Sequence, residues 1–160
     1  MISVRPLAVG DRDWACDAVS QTWGSTRLVS RGRVHDATEL DGFVAEDDNK
    51  PIGLAQHRID GDDCEVVVLL STVEGRGAGT SLLGAVRDAA TAAGCRRVWL
   101  VTTNDNVHAI AFYQRRGWDW VAFHRDAITA ARRSLKPEIP ERGDGGVPVR
   151  HEIELELRLR

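Results

Sequence analysis

Helical and strand-like hydrophobic spacings alternate along the whole chain. Helical spacing predicts helices from Asp11 to about Trp23, with Asp11 as the N-cap, from Thr80 to Ala93, over VHAIAFYQRR, and over 126–136. Alternating or continuous apolar runs predict strands at ISVRPL, GFVAED, PIGLAQHRI, CEVVVLLS, RRVWLVTT, WDWVAFH and HEIELELRL. The polar DDNK indicates a hairpin turn, and the glutamates and arginines of the last strand are expected to face water. This order predicts an α+β fold around a mixed sheet.

Composition narrows the function classes. The 160 residues fit one domain over 1–160, with 42% hydrophobic and 28% charged residues. A net charge of -3 argues against nucleic acid as the main partner, and no apolar run reaches the length of a membrane span. The start MISVRPLAVGDRDW lacks a signal-peptide core. Cys16, Cys64 and Cys95 are too scattered for a zinc site or a disulfide framework, so we expect no metal and a cytoplasmic location.

A glycine-rich stretch, EGRGAGT at residues 74–80, separates a predicted buried strand from a predicted helix. Glycines at such a junction leave backbone N–H groups uncovered beside the positive end of the helix, where a phosphate can bind. A dinucleotide-binding fingerprint fails because Thr80 and Leu82 stand where glycine is needed, and a P-loop fails because Ala85 follows Gly84. A turn without any ligand remains the alternative.

A second segment gives the glycine stretch its context. In TTNDNVHAIAFYQRRGW, Asn106 opens a predicted helix and Tyr113, the only tyrosine, lies two turns later on the same face. Together, EGRGAGTSLL, RRVWLVTTNDN and AIAFYQRRGW resemble the GNAT superfamily of N-acetyltransferases, from about Cys64 to Trp118. The long segment before the last strand is similar to a bacterial branch whose acceptors are unassigned.

The resemblance implies a fold and an activity. The fold is a mixed, mostly antiparallel sheet of six to seven strands flanked by helices, with a V-shaped splay between the fourth and fifth strands. The activity is acetyl transfer from acetyl-CoA to a primary amine by direct attack in a ternary complex, without a metal. Alternatives are an acyl-CoA sensor without turnover and a transferase for another acyl group.

Acetyl-CoA would bind along the strand and the glycine loop. In this superfamily the loop wraps the pyrophosphate, but Glu74 stands where the family pattern has Gln or Arg. We expect Glu74 to point away or to pair with Arg76, and Asn106 to contact the pantetheine arm or only to cap its helix. The residues that the resemblance assigns to the cofactor are Leu70, Ser71, Val73, Gly75, Arg76, Gly77, Ala78, Gly79, Thr80, Asn106 and Tyr113.

Acetyl transfer needs a base for the amine, an acid for the leaving thiolate and donors for the carbonyl oxygen. Tyr113 matches the superfamily's usual acid; the alternative is a core tyrosine. Glu65 is the best candidate base, directly or through water, and the alternative is a surface charge at a strand end. The N–H of Leu70 or Ser71 is a candidate donor to the carbonyl. No metal-site pattern involves His35, His124 or His151.

The segment after the first helix is expected to shape the acceptor pocket, with Trp23, Arg27, Arg31 and Arg33 as candidate substrate-binding residues. These arginines have no acidic residue among them, which favours an acceptor with an anionic group. The alternative is a solvated loop whose arginines pair with carboxylates or with the CoA phosphate. Expected partners are a small-molecule or peptide amine, with no nucleic acid and no membrane; a second copy of the chain is a further candidate.

Overall fold

The computed structural model describes residues 1–159. Within this range the helices are α1 (Arg12–Trp23), α2 (Ala78–Ala92), α3 (Val107–Arg115) and α4 (Ala127–Ser134). The strands are β1 (Ile2–Pro6), β2 (Arg27–Ser30), β3 (Arg33–Asp36), β4 (Asp41–Asp47), β5 (Lys50–Asp60), β6 (Asp63–Ser71), β7 (Arg97–Thr103), β8 (Asp119–His124) and β9 (Glu152–Arg158). The predicted helices and strands are all present, and their ends differ from the predictions by a few residues.

Seven strands form one mixed sheet in the order β1-β4-β5-β6-β7-β9-β8. Every neighbouring pair is antiparallel except β6 and β7, which run parallel because α2 carries the chain across between them. The prediction of a mixed, mostly antiparallel sheet with flanking helices is therefore confirmed.

Helices cover both faces of the sheet. The apolar side of α1, including Ala15 and Val19, packs on Val44, Leu54 and Val68. On the opposite face, α2 and α3 enclose the larger core with the side chains of Leu82, Val86, Ile110, Leu100 and Leu155. The longest helix is α2, with 15 residues, and between residues 1 and 159 no helix is both long enough and apolar enough to cross a membrane.

A small hairpin of β2 and β3 lies outside the main sheet and was not predicted. Its two-residue turn consists of Arg31 (φ 51°) and Gly32 (φ 76°), which gives the left-handed conformation at both positions that tight hairpins favour. The N–H of Arg31 donates to the carboxylate of Glu152 at 3.1 Å, which holds the turn against the start of β9. The hairpin therefore covers one part of the sheet that would otherwise be open.

Two sequence expectations need correction. Asp11 precedes α1, but its carboxylate makes no cap hydrogen bond to that helix; instead it pairs with Arg5 at 2.7 Å and accepts from the N–H of Ala8. The glutamates at the start of β9 do not face water, because Glu152 and Glu154 are 2% and 5% exposed. Strand β9 lies between β7 and β8, and the hairpin covers the face that carries these carboxylates.

Candidate active site

A V-shaped gap opens in the middle of the main sheet. Strands β6 and β7 are paired only from Asp63 opposite Arg97 to Glu65 opposite Trp99. Beyond Glu65 they diverge, while β6 stays paired with β5 up to Ser71 and β7 stays paired with β9 up to Thr103. These are the fourth and fifth strands of the main sheet in chain order, so the predicted splay is present. The facing edges of both strands carry backbone groups that no neighbouring strand uses.

A bulge in β6 lies at the mouth of this gap. Gln56 of β5 pairs with Val68 and His57 pairs with Val66, so Val67 is an extra residue without a partner. A bulge bends its strand and increases the local twist, and this bulge begins directly after Glu65, the last β6 residue that pairs with β7. Val67 lines the cavity into which the gap leads.

The gap leads into a cavity of about 630 Å³, a volume typical of small-molecule sites. Of the predicted site residues, Trp23, Glu65, Asn106 and Tyr113 all lie in its wall. They come from α1, β6, the start of α3 and the end of α3, so the fold brings together side chains that are far apart in sequence. The rest of the wall includes β2 and the segment between α4 and β9.

Tyr113 lies in the wall with a free hydroxyl. Its ring packs on Phe112 and Trp118, with centroids 5.3 and 5.4 Å away, and the side chain is 7% exposed. Tyr113 lines the cavity, and no residue between 1 and 159 forms a hydrogen bond with its hydroxyl. Burial raises the pKa of Tyr113 above its ordinary value, so the phenol stays protonated and can donate to a ligand.

Glu65 lies where the two strands part and is 6% exposed. Burial raises the pKa of its carboxyl to about 7, although the hydrogen bond from Ser30 opposes that shift. A carboxyl with this pKa is partly ionised near neutrality and can take up a proton from a bound group. The alternative of a solvated charge at a strand end is therefore wrong for Glu65.

Ser30 and His35, from the two strands of the hairpin, form a polar cluster with Glu65. The hydroxyl of Ser30 donates to Oε2 of Glu65 and lies 3.0 Å from Nε2 of His35. Because the hydroxyl proton goes to Glu65, Ser30 accepts from the Nε2–H of His35. Burial lowers the pKa of His35 to about 4, so the 3.6 Å contact between His35 and Glu65 is not an ion pair at neutral pH. Ser30 was not predicted as a site residue, and no role was predicted for His35.

The glycine loop follows β6 directly and ends at the start of α2. Gly75 and Gly77 have φ values of 74° and 78°, which favour glycine, and Gly77 is the N-cap of α2. In the described part of the chain, no hydrogen bond uses the N–H groups from Gly75 to Thr80, including Arg76 and Ala78. These donors and the positive end of the helix form a site suited to an anion.

Gly79 has a different reason to be glycine. A Cβ at this position would come within 3.2 Å of Cζ of Phe112, closer than ordinary packing allows. The missing side chain therefore lets the start of α2 pack on the aromatic ring of α3. Its N–H remains available to a ligand, but its small size is explained by packing.

Two arginines flank the loop. The side chain of Arg76 pairs with Asp47, not with Glu74, so one of the two arrangements expected for Glu74 and Arg76 does not occur. Arg116 stacks on Phe112, with its guanidinium carbon 3.5 Å from the ring centroid, and its Nε donates to Oγ1 of Thr80 at 2.8 Å. This places an exposed positive charge beside the N-terminus of α2. Arg116 was not among the predicted site residues.

The other residues predicted to bind the cofactor differ in location: one lines the cavity, one lies in the core and two are exposed. Asn106 caps α3 through a hydrogen bond from the N–H of Ala109 and also lines the cavity, so the two interpretations are compatible. The side chain of Leu70 packs in the core under α1, while Leu69 lines the cavity. Ser71 bonds to the carbonyl of Val73, and both are exposed. Any contact of Leu70 with a ligand would therefore be made by its backbone.

The three arginines predicted to bind the acceptor do not line the cavity. Arg31 pairs with Glu154 at 2.8 Å, and Arg33 lies 3.4 Å from Asp60. Arg27 is exposed. The geometry therefore agrees with arginines that pair with carboxylates and does not support a role for them in binding an anionic acceptor. Of the four candidate substrate-binding residues, only Trp23 lies in the cavity wall.

Acidic side chains dominate the wall instead. Besides Glu65, the cavity is lined by Asp105, Glu138, Asp144 and Glu152, against a single basic residue, Lys136. The ammonium of Lys136 donates to the carbonyls of Trp23 and Arg27 at 3.0 and 2.6 Å, so backbone oxygens already occupy it. Residues 1–159 contain no group of three or more His, Cys, Asp or Glu side chains arranged to hold a metal ion.

Known proteins are similar to this chain in sequence and in fold. Two proteins of Bacillus subtilis are similar in sequence: YdhI is 44% identical over 138 residues, 86% of each chain, and YxbD is 34% identical over 160 residues, 99% of this chain and 100% of YxbD. The solved structure of an IAA acetyltransferase from Bacillus cereus has a TM-score of 0.72 at 16% identity, covering 99% of this chain and 100% of that one. A GNAT family acetyltransferase from Elizabethkingia anophelis with acetyl-CoA bound has a TM-score of 0.71 at 16% identity, covering 99% and 98%.

The sequence profile of the Acetyltransferase (GNAT) family matches residues 12–118. This range includes the diverging strands, the glycine loop and the helix that carries Tyr113. The resemblance predicted from EGRGAGTSLL and AIAFYQRRGW is thereby confirmed. The chain belongs to the GNAT acetyltransferase family.

Proposed function

We propose that the protein is an acetyl-CoA-dependent N-acetyltransferase that acetylates a primary amine by direct attack in a ternary complex. The observation that carries this proposal is the gap between β6 and β7, which opens into a cavity walled by both Glu65 and Tyr113. A solved family member with a similar fold has acetyl-CoA bound, which supports the same donor here. The membership of the family supports acyl transfer in general, and the buried base and acid support an amine acceptor.

Acetyl-CoA would bind along the open edge of β6. The unused N–H groups from Gly75 to Thr80 would hold its pyrophosphate, and Arg116 would add a positive charge next to it. Leu70, Ser71 and Val73 would pair with the pantetheine arm through their backbone, and Asn106 lies in the cavity wall, where its side chain could contact the arm. This arrangement would direct the thioester toward Glu65 and Tyr113.

Glu65 and Tyr113 would then carry out different proton transfers. Glu65 would accept a proton from the acceptor ammonium, directly or through water, so that a neutral amine attacks the carbonyl carbon. Backbone N–H groups of the open β6 edge would polarise the carbonyl oxygen. As the C–N bond forms and the C–S bond breaks, Tyr113 would donate its proton to the departing thiolate. It would regain a proton from the attacking nitrogen, which loses its second proton as the amide forms, and Glu65 would release the first proton to water. The products would be an acetylated amine and CoA.

The proposal is tested by incubating the protein with acetyl-CoA and a library of primary amines and measuring released CoA with a thiol reagent. Cys64 and Cys95 are buried and Cys16 is half-buried, so the protein's own thiols give a small, stoichiometric background. Mass spectrometry should identify acetylated amines. Release of CoA without an acetylated amine would contradict the proposal, and binding of acetyl-CoA without turnover of any amine would favour a sensor.

A further inference from the structure

Two carboxylates inside the cavity have no positive partner. Glu65 is bonded to Ser30, and Glu152, 2% exposed, is bonded to the backbone N–H of Arg31. Within residues 1–159 no lysine or arginine side chain forms a salt bridge with either. Two buried carboxylates in one cavity repel each other and pay a desolvation cost, which a cation in the cavity would offset.

The chain does not lack arginines near this site. Glu154, two residues along β9, pairs with Arg31 at 2.8 Å and with Arg97 at 3.0 Å. Arg97 also contacts Glu156 and Asp63. The arginines of this region therefore pair with carboxylates outside the cavity lining. The carboxylates inside the lining remain available to a cationic ligand.

A second observation indicates that a ligand belongs there. Tyr113 is 7% exposed, lines the same cavity and has no hydrogen-bond partner for its hydroxyl in the described part of the chain. The hydroxyl can therefore donate a hydrogen bond to a ligand in this space. The thioester of the proposed donor can accept from this hydroxyl, and the two carboxylates without a cationic partner can accept from a positively charged second ligand in the same cavity.

We infer that the acceptor is a polycationic amine: besides the amine that is acetylated, it carries a second positive group that Glu152 recognises. This inference rests on the proposed function and specifies the substrate class of the same site. It replaces the expectation of an anionic acceptor, which depended on arginines that the structure places elsewhere.

The opening of the cavity is negatively charged, like its interior. Glu138 and Asp144 line it and are both exposed. Lys136, the basic residue of the wall, is 5% exposed and its ammonium is held by two carbonyl oxygens. A cleft lined by one sign of charge raises the local concentration of oppositely charged ligands, so a polycation is attracted at the opening and again at Glu152.

The test compares three amines that share a five-carbon chain and differ at the far end: cadaverine with an ammonium, pentylamine with a methyl group, and the ω-amino acid with a carboxylate. For wild type, kcat/KM should be about tenfold or more higher for cadaverine than for pentylamine, and lowest for the amino acid. Glu152→Gln should remove most of the preference for cadaverine over pentylamine. Glu39→Gln, an exposed glutamate outside the cavity lining, is the matched control and should keep the preference.

Calorimetric binding of the three amines to the complex with CoA gives a second readout that does not need turnover. Preferential binding of cadaverine without acetylation would support the inference and contradict the proposed function. Equal kcat/KM for cadaverine and pentylamine, or a preference for the amino acid, would overturn the inference and leave an N-acetyltransferase in place. Failure of cadaverine to bind, or an unchanged preference in Glu152→Gln, would also overturn it.

Discussion

The hydroxyl of Ser30 donates a hydrogen bond to the carboxylate of Glu65, which joins the hairpin of β2 and β3 to the point where β6 and β7 part. This bond favours the ionised form of a carboxyl that burial would otherwise keep protonated. The hairpin therefore forms one part of the cavity wall and lowers the pKa of the Glu65 carboxyl.

The first prediction concerns pH. With a pKa of about 7 for Glu65, kcat/KM of wild type should fall as pH decreases through 7, because the base becomes protonated. Ser30→Ala removes a hydrogen bond that lowers this pKa, so the fall should occur at higher pH. The ratio of variant to wild-type kcat/KM should be lowest at acid pH, where the carboxyl is protonated in both proteins, and should rise toward one at alkaline pH.

The ratio of variant to wild-type kcat/KM is the quantity to plot, because titration of the amine itself cancels in it. Ser134→Ala, which alters a hydroxyl bonded to the carbonyl of Ala130 on α4, serves as the control. A ratio that stays constant from acid to alkaline pH would show that Ser30 does not act through Glu65.

The second prediction concerns Tyr113. Tyr113→Phe keeps the ring contacts with Phe112 and Trp118 but deletes the proton donor. We expect kcat to decrease by about 10²-fold, in the range of general-acid contributions, while acetyl-CoA affinity changes little. Steady-state kinetics and a thermal shift with acetyl-CoA measure the two quantities separately. An unchanged kcat would mean that water protonates the thiolate.

The third prediction concerns charge in the glycine loop. Gly77→Glu and Gly77→Gln impose the same backbone strain at φ 78° and have nearly the same shape, but only the first adds a negative charge. Acetyl-CoA should raise the Tm of wild type by mass action, raise that of Gly77→Gln less, and leave Gly77→Glu unmoved. Equal shifts in the two variants would argue against a phosphate group at this loop.

The fourth prediction separates two adjacent arginines. Arg116 stacks on Phe112 and bonds to Thr80 beside the start of α2, whereas Arg115 is exposed and makes no side-chain hydrogen bond in the described residues. Arg116→Gln should weaken acetyl-CoA binding by about tenfold, as expected for a charge-assisted contact to phosphate. Arg115→Gln should leave it within about twofold. Titration calorimetry at two salt concentrations would show the loss, and equal effects of both substitutions would contradict it.

Local patterns in the sequence were sufficient for most of the fold. Hydrophobic spacing located each helix and the seven strands of the main sheet, because period and burial are linked within a single element. The hairpin of β2 and β3 was missed because RLVS and RVHD are short and mostly polar, although the Arg31–Gly32 turn between them is a recognisable signal.

The remaining features of the site depend on contacts between residues far apart in sequence, which no local pattern indicates. Glu152 and Glu154 alternate with apolar residues, which usually indicates a solvated face, but the strand order places β9 inside the sheet. Ser30 and Glu65 are 35 residues apart, and nothing near either one indicates the other. The pairing of Arg31 with Glu154 likewise spans the chain, so the charge of the cavity could not be read from the hairpin sequence.

We propose that acetyl-CoA binds in the gap between β6 and β7 and against the glycine loop. Backbone amide hydrogen exchange measures this without knowledge of the acceptor, because N–H groups without an internal partner exchange quickly until a ligand covers them. Added acetyl-CoA should slow exchange from Val66 to Thr80 and leave β1 and the outer strand β8 unchanged. Unchanged exchange in the Val66–Thr80 segment at saturating acetyl-CoA, or protection confined to another surface, would contradict the account.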